Sequence, residues 1–347
     1  MSFTCIDGFS GAGGLSLGLS KAGFNMLYSF DIDEKSVETQ NLNKKYFKHR
    51  VDKLDIRDLN PEKLMSELGL KKGELTLFAG GPPCQGFSIQ RIGSDKDERN
   101  NFVFLFVEKI IAFKPKFFLL ENVPGINGKR GREYLESALE FAGKNGYHIH
   151  KRILDAQDYS VPQRRKRMII VGERIDDKTS LNFSYPSEYK DKTTVREAIS
   201  HLPKPPKDGS DYQGIVHHRS DKLSKLNLER IRYVKEGQGM SYLPERLLAD
   251  CHKVGADKIG HRNVYGRMSW DDVSPTITAR FDSFTRGMFG HPEQDRSISL
   301  REGAILQTFP SDFNFCGNKV DIARQIGNAV PVKLAEAVGK EIIKAII

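Results

Sequence analysis

The sequence predicts an α/β fold built on a parallel sheet, and three observations carry that expectation. Short apolar runs bounded by Gly, Pro or Asp recur through roughly the first 175 residues. Segments of helical length and spacing separate them. Polar and glycine residues follow directly on several of the runs, where such a sheet presents its ligand-binding loops.

The runs Thr4 to Phe9, Met26 to Asp31, Leu75 to Ala79, Phe117 to Leu120 and Met168 to Val171 read as strands. Ser36 to Phe47, Phe102 to Phe113 and Tyr134 to Lys144 read as helices, the second apolar nearly all round and therefore buried. After Gly172 the rhythm is lost, and Pro186, Pro203, Pro205 and Pro206 fall among Ser, Lys and Asp. The first 175 residues or so therefore read as one α/β domain, with a boundary near Gly172. In the last stretch Leu334, Val338, Ile342 and Ile346 stand four apart, as on an amphipathic helix packed against a core.

The 347 residues are 38% hydrophobic and 29% charged, which excludes a disordered or fibrous chain. No run approaches the roughly 18 apolar residues of a membrane helix. The start MSFTCIDGFS has neither a basic nor an apolar leader region, so a cytoplasmic location and no membrane partner are expected. Lys and Arg number 54 against 45 Asp and Glu, a net +9 that favours a polyanionic partner, nucleic acid ahead of an anionic membrane. Cys5, Cys84, Cys251 and Cys316 are far apart and form no CxxC pair, so neither a disulfide framework nor a zinc site is expected, and no metal.

The first strand enters Asp7-Gly8-Phe9-Ser10-Gly11-Ala12-Gly13-Gly14, whose glycines let the backbone turn tightly beside a ligand. A nucleotide-like cofactor fits this turn; a tight turn with no ligand fits it too. A dinucleotide fingerprint fails, because Ser16 stands where its last glycine belongs. Asp31 and Asp33 close the second strand, suited to ribose hydroxyls, although Asp33 serves equally as a helix N-cap. Asp55, with Ile56 beside it, is placed to meet an adenine in the same way.

The sharpest segment is Phe78-Ala79-Gly80-Gly81-Pro82-Pro83-Cys84-Gln85-Gly86-Phe87-Ser88. Two prolines before and a glycine after Cys84 describe a rigid exposed loop, and a thiol presented there is a candidate nucleophile rather than a core residue. The polar stretch Gln85 to Asn101 has the character of a loop that closes over a substrate. The strand Phe117 to Leu120 delivers Glu121 and Asn122 to the same sheet edge. An acid beside a thiol suits acid catalysis on the substrate, since a carboxylate does not lower a thiol pKa. In Gln163-Arg164-Arg165-Lys166-Arg167 a period of two puts Arg165 and Arg167 on one face; a solvated charge run and buried, oriented arginines both fit.

In this order the segments resemble the C5-cytosine DNA methyltransferase family, over nearly the whole chain. The D-x-F-x-G-x-G-G start, the P-P-C-Q loop, the E-N-V turn and the Q-x-R-x-R run are joined by Arg301-Glu302, Leu306-Gln307-Thr308-Phe309-Pro310 and Gln325-Ile326-Gly327-Asn328-Ala329-Val330-Pro331. The resemblance implies a Rossmann-like S-adenosylmethionine-dependent methyltransferase domain with a smaller, irregular target-recognition domain: a catalytic and cofactor-binding domain over 1–175, the target-recognition domain over 176–300, and a segment 301–347 returning to the catalytic domain. It implies that Phe9, Gly11 and Gly13 line the cofactor pocket, that Asp31 takes the ribose, and that Ile32, Asp55 and Ile56 surround the adenine. Gly81, Pro83 and Asn328 complete that pocket. Ile32 stands where some relatives stack an aromatic ring, and Phe102 where leucine is usual.

It implies further that the Cys84 thiolate adds to C6 of a flipped cytosine, that Glu121 contacts N3, and that Arg165, with Asn122 nearby, orients the base; Arg167 belongs to the same catalytic set. Gln85, Ser88, Gln90, Arg91 and Arg99 are the expected DNA contacts, with basic Lys129 to Arg132 reaching phosphates. Sequence reading falls to about Ser187 to Asp282. The compact plan resembles a bacterial or phage modification methylase, monomeric, acting on double-stranded DNA and paired with a cognate restriction endonuclease. The family's tRNA branch carries a Cys-Phe-Thr element absent from this chain, where Cys251 precedes His252-Lys253. A non-catalytic binding module is opposed by intact Cys84, Glu121, Arg165 and Arg167. His217-His218 and Trp270 are left to loop and packing roles.

Overall fold

The computed structural model describes residues 2–83, 102–128, 131–175, 182–253 and 263–347. It separates into two compact units. The first comprises Met1–Tyr159, Lys166–Glu188 and Val330–Ile347, and the second Ser160–Arg165 and Tyr189–Ala329.

The first unit carries β1 (Thr4–Gly8), α1 (Gly14–Ala22), β2 (Asn25–Asp31), α2 (Glu34–Leu42), β3 (Arg50–Lys53), α3 (Pro61–Glu67), β4 (Leu77–Gly80), α4 (Phe102–Phe113), β5 (Phe117–Asn122), α5 (Arg132–Lys144), β6 (Tyr147–Asp155) and β7 (Lys166–Arg174). The strands form one sheet in the order β3-β2-β1-β4-β5-β7-β6. The first five are parallel, whereas β7 runs antiparallel to both β5 and β6. The sheet is therefore mixed rather than wholly parallel, with a hairpin-like pair at one edge. The β3 and β6 strands carry too few apolar residues in sequence to announce themselves, because an edge strand is covered less than a central one.

The core on one face is aromatic. Phe78 meets Phe106 and Phe113 of α4 edge-on, with ring centroids 5.5 and 5.3 Å apart, and Ile6, Phe30 and Phe118 join the same cluster. This is the apolar α4 expected from its sequence. The expected helix Ser36 to Phe47 stops earlier, at Leu42. The Asn43 amide donates to the Thr39 carbonyl at 2.7 Å, and the chain continues as turns.

The first unit continues past residue 175 to Glu188. Glu173 on β7 accepts from the backbone N–H groups of Asn182 and Phe183 at 2.9 and 3.3 Å, and the Tyr185 hydroxyl donates to the Ile169 carbonyl at 2.8 Å. These contacts bind the first stretch of the expected second domain to the sheet.

The second unit has α6 (Val195–Ile199), α7 (Lys225–Tyr233), α8 (Asp250–Lys253), α9 (Leu300–Leu306) and α10 (Lys319–Asn328), with isolated bridges in place of ladders among its described residues. Capping boxes start α6, α9 and α10 through Thr194 with Glu197, Ser299 with Glu302, and Asn318 with Asp321. Since α9 packs on α6 and α10, residues 301–329 stay in this unit, and only the chain from Val330 rejoins the first. The expected return at residue 301 is thus displaced by about one helical pair.

The returning segment forms α11 (Val332–Ile346), which packs on α1. Contact is close at Gly18, where an added Cβ would lie 2.4 Å from the Val332 carbonyl oxygen and 2.5 Å from the Ala335 Cβ. Overpacking such a contact costs about 1–3 kcal/mol. Gly18→Ala is expected to lower the free energy of chemical unfolding by that amount, and the denaturation midpoint with it; a midpoint equal to that of the native chain would show that the helices separate without cost.

Candidate active site

Register determines where the site forms. Gly8 pairs with Phe30 on one side and Gly80 on the other, and Gly80 pairs with Leu120. The residues that follow this row, Phe9, Asp31, Gly81 and Glu121, are therefore delivered together at the carboxyl edge of the parallel strands. Gly8 and Gly80 permit the close approach, since a Cβ on Gly80 would sit 2.5 Å from the Gly8 carbonyl oxygen.

The β1–α1 turn is left-handed at Phe9, Gly11 and Gly13, with φ of 56, 53 and 86°. Phe9 tolerates this conformation while its ring meets Phe102 and Phe106 edge-on at 6.0 and 5.8 Å. The Asp31 carboxylate accepts from the Gly11 N–H through one oxygen and from the Asp33 N–H through the other, each at 2.8 Å. Burial raises the Asp31 pKa, and these two bonds oppose the rise. Asp33 itself caps α2, accepting from the Ser36 N–H at 3.0 Å.

Beside Asp31, Ile32 is 57% exposed, an apolar side chain open to a planar ligand. Asp55 accepts from the Arg57 backbone and guanidinium, which holds its carboxyl below the usual range. The Ile56 side chain lies in the core instead, leaving its backbone for any ligand contact. Around Gly11 the space is open among the described residues, with no heavy atom beyond its chain neighbours within 4 Å of an added Cβ. An open glycine turn, a carboxylate held at its mouth and an exposed apolar face fit an adenosine-bearing cofactor.

Beneath this turn lies Asp7, fully buried, taking the Ser16 hydroxyl at 2.5 Å through Oδ2 while Oδ1 has no hydrogen-bond partner among the described residues. Burial pushes its pKa from 3.8 to about 7; the Ser16 bond opposes the rise and the Asp31 charge adds to it. Sequence reading passed over Asp7, although an acid inside an apolar strand was a visible signal.

At the other end of the row, Glu121 pairs with Arg167, Oε1 to Nε, at 2.7 Å, both side chains nearly buried. Antiparallel register accounts for the pair: Glu121 stands opposite Ile169, and Arg167 is the diagonal neighbour two residues along. The Asn122 amide donates to the Pro82 carbonyl at 3.0 Å, fixing the chain that leads into Pro83. Cys84, Gln85, Ser88, Gln90, Arg91 and Arg99 lie outside the described residues, as do Lys129 and Arg130.

The Q-x-R-x-R run divides between the units. In the second unit the Gln163 amide donates to Gln307 Oε1 at 2.9 Å and accepts from the Ile277 N–H at 2.7 Å. Arg165, 1% exposed, donates to the carbonyls of Ile277, Gly327 and Ala329 at 2.7, 2.7 and 3.1 Å. Its guanidinium is thus bound to backbone, whereas Arg167, in the first unit, meets Glu121. Asn328 ends α10 in the second unit.

A family model described as C-5 cytosine-specific DNA methylase matches residues 3–344. The chain belongs to this family. Among curated relatives, the Type II methylase M.HgiDII of Herpetosiphon aurantiacus is 33% identical across 97% of this methylase and 94% of its own length. The Type II methyltransferase M1.HphI of Haemophilus parahaemolyticus is 35% identical, covering 99% and 87%. Of solved structures, a protein described as a prophage-encoded DNA modification methyltransferase (E. coli) superposes with a TM-score of 0.75 at 26% identity, covering 99% of both chains. The methylase is accordingly a DNA cytosine-C5 methyltransferase of an S-adenosylmethionine-dependent family with the α/β fold described above. None of its described helices is long and apolar enough to cross a membrane.

The raised pKa of Asp7 makes a signed prediction for the cofactor-free methylase. An acid titrating near 7 when folded and 3.8 when unfolded binds more protons in the folded state, so its penalty grows from about pH 4 and is complete above pH 7. Asp7→Asn keeps an acceptor for Ser16 and removes the charge. Its melting temperature relative to the native methylase is expected to rise between pH 5 and pH 8 in thermal scans; a constant or falling difference would contradict this titration.

Proposed function

We propose that this methylase is the modification enzyme of a Type II restriction-modification system, methylating C5 of a cytosine flipped out of a short duplex sequence. The observation that carries the reading is the single row of strand ends. It brings the glycine turn with Asp31 and the Glu121–Arg167 pair to one edge, together with the Pro82-Pro83 segment that leads to Cys84. In this reading Phe9, Gly11, Gly13, Asp31, Ile32, the Ile56 backbone and Asp55 hold the cofactor, with Gly81 and Pro83 assigned to the same pocket by family position. Bound S-adenosylmethionine supplies a methyl group made electrophilic by its sulfonium.

Cytosine C5 is too weakly nucleophilic to take that methyl unaided. The Cys84 thiolate bonds to C6 while Glu121 meets N3 and its proton offsets the charge moving into the ring, so the C5–C6 electron pair becomes available at C5. After C5 has gained its methyl group, loss of the C5 proton returns a pair to the ring and expels Cys84. Arg167 holds Glu121 in place, and Asn122 fixes the approach of the Cys84 loop through Pro82. Arg165, expected to orient the base, has its guanidinium on backbone carbonyls of the second unit.

Extruding the base costs a few kcal/mol. The net charge of +9 supports phosphate contacts that offset this cost and weaken with salt. Arg91, Arg99 and the basic residues of Lys129 to Arg132 are assigned to those contacts, Gln85, Ser88 and Gln90 to further DNA contacts, and target recognition to the second unit. The paired nuclease and a monomeric state belong to the same reading.

Expression in a methylation-free bacterial host, followed by whole-genome bisulfite sequencing, tests the function. Protected cytosines in one short recurring sequence are expected with the native methylase and none with Cys84→Ser; protection by Cys84→Ser would exclude the covalent route. For the pair, Glu121→Gln and Arg167→Gln are each expected to slow methyl transfer about 100-fold. The double variant should lose far less than the product of the two. Multiplying losses would mean that the residues act independently.

A further inference from the structure

We propose that Gln40, which touches neither the expected cofactor residues' side chains nor the sheet edge, is a positioning residue that sets cofactor affinity by gripping the glycine turn from behind. Gln40 lies on α2 with its side chain fully buried. Its Nε2 donates to the Ser10 hydroxyl and to the Gly11 carbonyl, both at 2.8 Å, and its Oε1 accepts from the Ser29 hydroxyl at 2.9 Å.

The direction of each bond follows from the donors available. The Gly11 carbonyl only accepts, so the amide nitrogen must face it; the reversed amide would set two oxygens against each other. The Ser10 hydroxyl spends its hydrogen on the Phe30 carbonyl at 3.2 Å and is left to accept from Gln40. The Ser29 hydroxyl spends its hydrogen on Gln40 Oε1. It therefore accepts from His49 Nε2, 2.9 Å away, which fixes the protonated nitrogen of that ring. Burial lowers the His49 pKa to about 4, in keeping with a neutral imidazole.

The Gly11 residue is thus held on two sides: Asp31 takes its N–H and Gln40 its carbonyl. At φ 53° a glycine has little intrinsic preference for that conformation, so these two bonds select it. They also fix the Asp31 carboxylate, one of whose oxygens is committed to the Gly11 N–H. Loosening the carbonyl end frees the turn and, through Gly11, the ribose acid.

Calorimetric titration of S-adenosylhomocysteine into the full methylase, paired with steady-state kinetics, tests the role. Gln40→Glu keeps the shape and sets a carboxylate against the Gly11 carbonyl; Gln40→Met removes the donors without charge. Each is expected to raise Kd and the KM for S-adenosylmethionine at least tenfold, with kcat and the KM for DNA within about twofold and stoichiometry near one for the folded fraction. A residue with only a structural role would lower stoichiometry and melting temperature and leave Kd unchanged, and that result in either folded variant would overturn the proposal. The inference rests on the cofactor reading: failure of the native methylase to bind would sink that reading, whereas equal binding by native and variant sinks only the role of Gln40.

Discussion

The alignment of Gly8, Phe30, Gly80 and Leu120 in one row across four parallel strands is the constraint on which the site depends. Because side chains alternate along a strand, a slip of one residue in any pairing would turn Asp31 or Glu121 to the opposite face. The register is held by packing on one face, where Phe30, Phe78 and Phe118 are buried in a single cluster and α4 supplies the rings that cover Phe78. Two glycines in the row bring the backbones of β1 and β4 together where side chains would hold them apart. The aromatic core and the catalytic edge are thus set by the same pairings.

Much of this was legible in the sequence where physics acts locally. Apolar runs of strand length, the nearly all-apolar Phe102 to Phe113 and the glycine cluster after Asp7 each announce a structure within a few residues. The same holds for Glu121 and Asn122, because a polar pair closing an apolar strand has one natural location. What was not legible depends on partners distant in the chain. The antiparallel placement of β7 beside β5 decides that Arg167 rather than Arg165 meets Glu121, and nothing within Gln163 to Arg167 distinguishes the two. Glu173 draws Asn182 and Phe183 back to the sheet in the same non-local way. Gln40 was detectable only as a polar residue on the buried face of α2, beside Val37, a signal that does not name its partners.

The second unit shows how a chain with little regular structure satisfies its backbone. Carbonyls that a sheet would pair are taken by buried guanidinium groups: Arg267 donates to Ile231, Val234, His291 and Gln294, Arg230 to Leu247, and Arg301 to Val216 and Phe313. Arg165 serves Ile277, Gly327 and Ala329 in the same manner. One planar fork with five donors ties together loops far apart in sequence, which a single backbone N–H cannot do. A lysine ammonium concentrates three donors at one point and cannot reach these separated carbonyls, so the positions tolerate lysine poorly, and desolvating the charge is costly. Burial lowers the Arg301 pKa to about 10, a sign of that cost. Part of the excess positive charge therefore works inside the unit as scaffold, and net charge overstates the cations available to a polyanion.

The polar groups around the glycine turn follow an opposite logic. Apolar residues in place of Asp7, Gln40, Ser29 and Ser10 would remove the cost of burying these groups and the need to find them partners. They would also leave the Gly11 peptide ungripped. Polar atoms fix direction where apolar contacts fix only distance, and a turn that must present an N–H and a carbonyl in set orientations needs the former. The unpartnered oxygen of Asp7 marks where this arrangement is least satisfied. It lies directly under the turn that the cofactor reading requires to be held, so the strain of the buried network and the preorganisation of the site have a common origin in the residues between Asp7 and Gly13.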